Sequence, residues 1–297
     1  MMAAARRKAG MAGAAAAASL AAVLLAGAAA AQETFRIGLV ALPGEEAGVE
    51  GLAEIKAAYA AALGLPVEVM VARDYATLAE AHIAGRVDYA VYSAPAFAAA
   101  FRRCGCLRPV AAPVDADGAV GLRSVLVVRS RGAGEDGRLA VGPADSLATR
   151  LAPLAASQAA RRAASTGRLV EAASAAEAEA LFLDGKVDGF FGWEPVGHSA
   201  PGETHPGGSP ARLAAAGLDA ASYGIAWRSE VLRYGPHAVH VDMPAERVER
   251  LARLLERASG DTRLMRPALR GHGSGFAAVT QEDYRAVAEA LEALGGR

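Results

Sequence analysis

Few residues of this 297-residue chain suit chemistry, and those that do suit holding a ligand better than transforming one. The run Val141-Gly-Pro-Ala-Asp-Ser146 closes an apolar stretch and opens a helical one. Backbone amides at a helix start, capped by Ser or Asp, make a ready anion site; an ordinary capped helix needs the same residues. Tyr92 and Ser93 supply hydroxyl groups at the end of one expected strand. Trp193, followed by Glu194, supplies an apolar wall and an indole N–H at the end of another. Tyr75, just after the capping Asp74, stands where it either faces the same cleft or packs. Cys104 and Cys106 are the only cysteines, and their spacing suits a loop disulfide or a two-thiol site.

Catalytic patterns are missing. The six histidines, His82, His198, His205, His237, His240 and His272, show no metal-ligand spacing. There is no nucleophile elbow, P-loop or dinucleotide glycine fingerprint; Gly271–Gly275 is glycine-rich but lacks a P-loop lysine and reads as a surface loop. No catalytic residue, metal or cofactor is expected, and the chain does not read as an enzyme. The formal net charge of -1 and the lack of a basic stripe argue against nucleic acid as a partner.

The N-terminus reads as an export signal. Arg6, Arg7 and Lys8 precede an uncharged apolar stretch over residues 11–27, and Ala29 and Ala31 provide a small-x-small cleavage pattern before Gln32. Loss of residues 1–31 leaves 28 basic against 32 acidic residues, a net charge of -4. A soluble exported protein is expected, in a compartment where a disulfide persists.

These groups are positioned by a unit used twice. Residues 85–95 read Gly-Arg-Val-Asp-Tyr-Ala-Val-Tyr-Ser-Ala-Pro and residues 185–195 read Gly-Lys-Val-Asp-Gly-Phe-Phe-Gly-Trp-Glu-Pro, a shift of 100 residues. Each follows Ala, Glu and Leu at helical spacing, which predicts helix, tight turn and buried strand. Asp88 and Asp188 begin their strands, far from the cleft end, and read as structural. Strand and helix alternate from Phe35 to Val114, and again from Arg123 to Trp227, predicting two lobes with mostly parallel sheets flanked by helices. A helix is expected over Ser146–Ala164 apart from Pro153, and a loop over Pro201–Pro210. The expected division is 32–121 plus 236–297 for lobe I and 122–235 for lobe II, with crossovers near Gly121 and Arg233–Pro236 forming a hinge. Ligands of open α/β sheets bind beyond the carboxyl ends of the strands, so the expected site is the cleft between the lobes.

The run Asp74-Tyr75, Gly85 to Ser93, Arg123–Val128, Gly142-Pro143, Ser146, Gly185 to Asp188, Ala226-Trp-Arg-Ser229, Gly235-Pro236, Val241-Asp-Met-Pro244, Gly275-Phe276 and Asp283-Tyr284 resembles the phosphate/phosphite/phosphonate substrate-binding proteins of ABC importers. The resemblance runs in order along essentially the whole mature chain. It implies a two-lobed type II periplasmic binding fold, a periplasmic monomer, a small oxyanion as ligand and a membrane permease as partner. It also implies first-lobe contacts from Tyr75 and Tyr92. A Ser-Thr-Ser run of the family is reduced here to Ser146, with Thr149 three residues on, and Glu194 matches an acid that family members turn to a ligand amine. A ligand sensor or orphan receptor of the same fold, and an exported thiol-redox protein using Cys104 and Cys106, are the competing readings.

Overall fold

The computed structural model describes residues 33–41, 49, 51–132, 134–197, 207–258 and 273–295. The expected signal segment 1–31 with its cleavage site, together with His198, His205 and His272, lies outside them. No described helix is long and apolar enough to cross a membrane.

The first half of the chain alternates as its apolar spacing dictates: β1 (Phe35–Val40), α1 (Leu52–Leu63), β2 (Val67–Ala72), α2 (Tyr75–Ile83), β3 (Tyr89–Val91), α3 (Ala94–Cys104) and β4 (Leu107–Val114). The second half follows with β5 (Ala119–Arg129), β6 (Leu139–Val141), a π-helical turn over Leu147–Leu151, α4 (Ala152–Ala156), α5 (Gln158–Ser165), β7 (Leu169–Glu171), α6 (Ala175–Leu183), β8 (Gly189–Gly197) and α7 (Gly208–Ala215). After β9 (Tyr223–Arg228) and β10 (Leu232–Arg233) come β11 (His237–His240), α8 (Ala245–Ala258), β12 (Gly275–Ala278) and α9 (Arg285–Gly295).

Two six-stranded sheets result. One has the order β12-β4-β11-β3-β1-β2; the other runs β10-β5-β8-β6-β7, with β9 also on β5. Both are mixed. Within each, the repeated unit is parallel, β2-β1-β3 in one and β7-β6-β8 in the other. The remaining neighbours pair antiparallel. The expected mostly parallel sheets are corrected on this point, because strands next to the crossovers enter a sheet from the opposite direction. The chain leaves the first sheet after Val114 and joins the second at Ala119, then returns between Arg233 and His237. Phe35–Arg297 is one compact unit.

Aliphatic and aromatic side chains fill both faces of the first sheet, with Ile37, Leu39, Ile55, Tyr59 and Leu251 on one side and Leu78, Val87, Phe97 and Tyr284 on the other. Val125, Phe182, Phe190 and Leu213 form the corresponding core of the second sheet. Ala148, Ala152 and Leu232 pack into the first sheet's cluster, so that apolar contact continues across the two sheets.

Several boundaries differ from expectation for local reasons. The helix expected over Ser146–Ala164 begins as a π turn and breaks at Ser157, whose hydroxyl caps α5 by accepting from Ala160 N at 3.3 Å. Pro153 sits in the first turn of α4, where its missing N–H is tolerated. Residues 208–210, read as loop, open α7 and bury Ser209 completely. Gly275, read as the end of a surface loop, starts β12 instead.

The repeat is a repeat in space. Helices α2 and α6 occupy equivalent positions, each capped by a side chain, Asp74 or Ser174, that accepts from the amide three residues on. Asp88 Oδ2 accepts from Arg36 N at 2.8 Å while Asp88 N donates to Arg36 O at 2.8 Å. Asp188 Oδ2 accepts from Arg138 N at 2.8 Å, and its amide donates to Arg138 O at 2.9 Å. Each aspartate therefore clamps the central strand of its sheet to the start of the neighbouring one. A carboxylate hydrogen-bonded to a backbone amide contributes about 1.5–3 kcal/mol. Asp88→Ala and Asp188→Ala should each lower unfolding free energy in urea by about 2 kcal/mol, with the slope against urea unchanged.

Candidate functional site

At the carboxyl ends of β1, β3 and β6 the two sheets face a common cavity of about 490 Å³. The first sheet contributes Tyr75, Tyr92 and Ser93; the second contributes Ser146, Leu147, Ala148, Thr149 and Trp193; Leu232–Gly235 cross its floor. The repeat explains the pairing, since Tyr75 and Ala175 occupy the same place at the start of α2 and α6, and both line the cavity.

On one wall Tyr75 and Tyr92 stack with ring centroids 6.4 Å apart, and Tyr92 stacks in turn on His82 at 5.9 Å. The Tyr92 hydroxyl points back into the protein, sharing a hydrogen bond of 3.2 Å with His82 Nδ1. Tyr92 is therefore an aromatic surface in the cleft, and its buried phenol is pushed above the ordinary range. His82 is fully buried. Burial, helped by His240, pulls its pKa down to about 4, against weaker opposition from Asp88. Ser93 lies just beyond β3 and caps α3, its Oγ accepting from Ala96 N at 3.3 Å.

On the opposite wall the π turn is built around two hydroxyls. Ser146 Oγ accepts from Thr149 Oγ1 at 2.6 Å and from Thr149 N at 3.4 Å. With both lone pairs engaged, the Ser146 O–H is oriented to donate elsewhere. This tight turn requires Gly142, because a Cβ there would stand 1.9 Å from Thr149 Oγ1.

Trp193 lines the cavity and is held from behind by residues that the sequence did not single out. Its amide donates to Ser209 Oγ at 3.2 Å, and Ser209 Oγ donates to the buried Glu179 at 2.6 Å. Arg212 grips Glu179 through two nitrogens and lies 5.0 Å from the Trp193 ring centroid. An acid at a buried phase of the Ala-rich helix α6 was the one available signal for this network.

Glu194 is elsewhere. The strand does not end there, as the sequence suggested, but continues to Gly197 in antiparallel pairing with β5. Alternation along β8 turns Glu194 away from Trp193, and its carboxylate meets Arg228 Nε at 2.8 Å, outside the cavity lining. Cys104 and Cys106 form a disulfide at the end of α3, also away from the cavity. Arg233 is the single charged residue among the described lining, and Asp283 lies 3.7 Å from its Nε. Among the described residues no group of three or more His, Cys, Asp or Glu side chains is placed to hold a metal ion.

The floor depends on close backbone approach. Tyr92 N donates to Pro236 O at 3.0 Å, and a Cβ on Gly235 would fall 2.0 Å from Tyr92 O. Tyr284 Oη fastens the same segment by donating to Tyr234 O at 2.9 Å.

Two α/β lobes joined by two crossovers, with a cleft at their strand ends, define the two-lobed type II periplasmic binding fold. The family model for the ABC transporter phosphonate periplasmic substrate-binding protein matches residues 39–284, and the chain belongs to that family. Among solved structures, XAC2383 from Xanthomonas citri bound to chloride ion is similar at TM-score 0.57 and 14% identity, over 89% of this chain and 99% of that one. PhnD1 from Prochlorococcus marinus in complex with methylphosphonate is similar at TM-score 0.51 and 11% identity, again over 89% and 99% of the two chains. No curated protein matches the sequence.

Two outcomes follow from this geometry. Between pH 6.5 and about 4 the unfolded chain protonates His82 while the folded one keeps it neutral. Its contribution is therefore present above pH 6.5 and lost as pH falls, up to about 3 kcal/mol. His82→Gln should flatten that part of the stability–pH curve in denaturant titrations. Gly235→Ala should displace the crossing segment and destabilise the protein by about 1–3 kcal/mol, read as a lower melting temperature.

Proposed function

We propose that this protein is the periplasmic solute-binding component of an ABC importer, and that its lobes close on a small oxyanion of the phosphonate, phosphite or phosphate type. The observation that carries the reading is the placement of the Ser146 hydroxyl, its lone pairs engaged by Thr149, opposite the Tyr75–Tyr92 wall in one cavity. A hydroxyl so oriented donates to an anionic oxygen, and aromatic surfaces flank the rest of the solute. Family membership supports solute binding and a membrane permease as partner. An N-terminal export signal, periplasmic residence, a monomeric state and a role without catalysis complete the proposal.

The assigned contacts are Tyr75, Tyr92, Ser93, Ser146, Thr149 and Trp193, of which Ser146 is the headgroup donor and Thr149 its positioning residue. Glu194 is left out, because its carboxylate is engaged by Arg228. Closure of the hinge would bring the Ser146 turn and the tyrosine wall together around the ligand.

Thermal unfolding of the mature protein with phosphate, phosphite, sulfate and a set of phosphonates tests this. An oxyanion present at about 100 times its dissociation constant should stabilise the fold by about 2.7 kcal/mol. Ser146→Ala should weaken the bound anion by about 1–3 kcal/mol in calorimetric titration. Cooperative melting that no anion shifts would sink the oxyanion reading.

A further inference from the structure

The cavity walls carry little charge for a site that takes up an anion. Besides Arg233, the described lining consists of aliphatic, aromatic, small and hydroxyl-bearing residues, with Leu39, Val40, Val91, Leu122 and Leu232 among the aliphatic ones. Two of the lining hydroxyls are engaged with neighbours, since Thr149 donates to Ser146 and Tyr92 is turned to His82, while Ser93 Oγ accepts from Ala96 N. The helix starts at Tyr75, Ala94 and Ala175 and the Ser146 turn can serve one anionic headgroup, and most of the remaining described surface is apolar. An ammonium group needs a carboxylate, and no carboxylate belongs to the described lining, since Glu194 is paired with Arg228 outside it.

From this we infer that the cleft selects organic oxyanions by an apolar body, an alkyl or aryl group without an ammonium, and that Ala175 sets the size of that body. The inference rests on the oxyanion-binding reading above and names its substrate class. The headgroup meets Ser146; the body lies against Tyr75, Tyr92, Trp193 and the surrounding aliphatic side chains. Ala175 supplies the room. It stands in the second lobe where Tyr75 stands in the first, at the first position of the equivalent helix, so the repeat offers a ring on one side and a methyl group on the other. Trp193 is fixed against the body by Ser209 and Arg212, which favours a rigid apolar surface over an adaptable one.

Calorimetric titration with phosphite, methylphosphonate, butylphosphonate, phenylphosphonate and 2-aminoethylphosphonate decides the matter. Affinity should rise about tenfold for each two methylene groups buried, with phosphite weakest among the ammonium-free anions, and 2-aminoethylphosphonate should bind no better than methylphosphonate. Ala175→Phe should leave methylphosphonate within about threefold of the parent and weaken phenylphosphonate by about tenfold or more. Trp193→Ala should weaken phenylphosphonate by a larger factor than methylphosphonate, while Ser146→Ala should weaken every member by a similar factor. A flat or descending series, or tightest binding by the aminoethyl compound, overturns the inference and leaves the oxyanion reading standing. An unaltered phenylphosphonate affinity in a folded Ala175→Phe variant removes Ala175 from the size filter. Failure of every member to bind overturns both readings together.

Discussion

The architecture depends on a carboxylate at the wrong end of the strand for ligand binding. Asp88 and Asp188 each hold the backbone of a neighbouring strand by a short bond to its amide, and the reciprocal amide-to-carbonyl bond closes the pair. This fixes the register of β3 against β1 and of β8 against β6 at the amino ends. In parallel pairing a slip of one residue reverses every side chain between the two faces of the sheet. With the register fixed, the next few residues decide what reaches the cleft: Tyr92 and Ser93 just beyond β3, and Trp193 midway along β8. One device used in both lobes thus supports the two walls of the site.

The crossing segment Tyr234–Pro236 does for the floor what the aspartates do for the walls. Tyr234–Pro236 passes so close to Tyr92 that only glycine fits at 235, and the Tyr284 hydroxyl holds it from the other side. Strand end, crossing segment and final helix therefore share one packed cluster with Ala148, Ala152 and Leu232. Residues 115–118 make the other crossing between the sheets.

The two walls differ in how they use polar groups. In the first lobe the polar atoms are turned inward, with Tyr92 bonded to a buried neutral His82, so the cleft receives ring surface. In the second lobe the Ser146–Thr149 pair faces the cavity, while Glu179, Ser209 and Arg212 form a satisfied network behind Trp193. A buried carboxylate is tolerable there because guanidinium and hydroxyl partners saturate it. The Ser146 turn thus brings two hydroxyls together in the cavity lining.

By itself the sequence determined the alternation of strand and helix, the duplicated unit, the structural role of the two aspartates and the end of β3 at the cleft. All of these follow from local periodicity and turn chemistry, which act over a few residues. Tertiary structure alone decided which side chains face the cavity. Tyr92 reads as a hydroxyl donor until His82, ten residues away, turns its oxygen inward. Glu194 reads as a site acid until the continuation of β8 places it on the other face beside Arg228. Ser209 and Arg212 read as loop or unremarkable surface until a helix carries them under Trp193. Side-chain direction and partnership arise from contacts between distant segments, and no spacing along the chain encodes them.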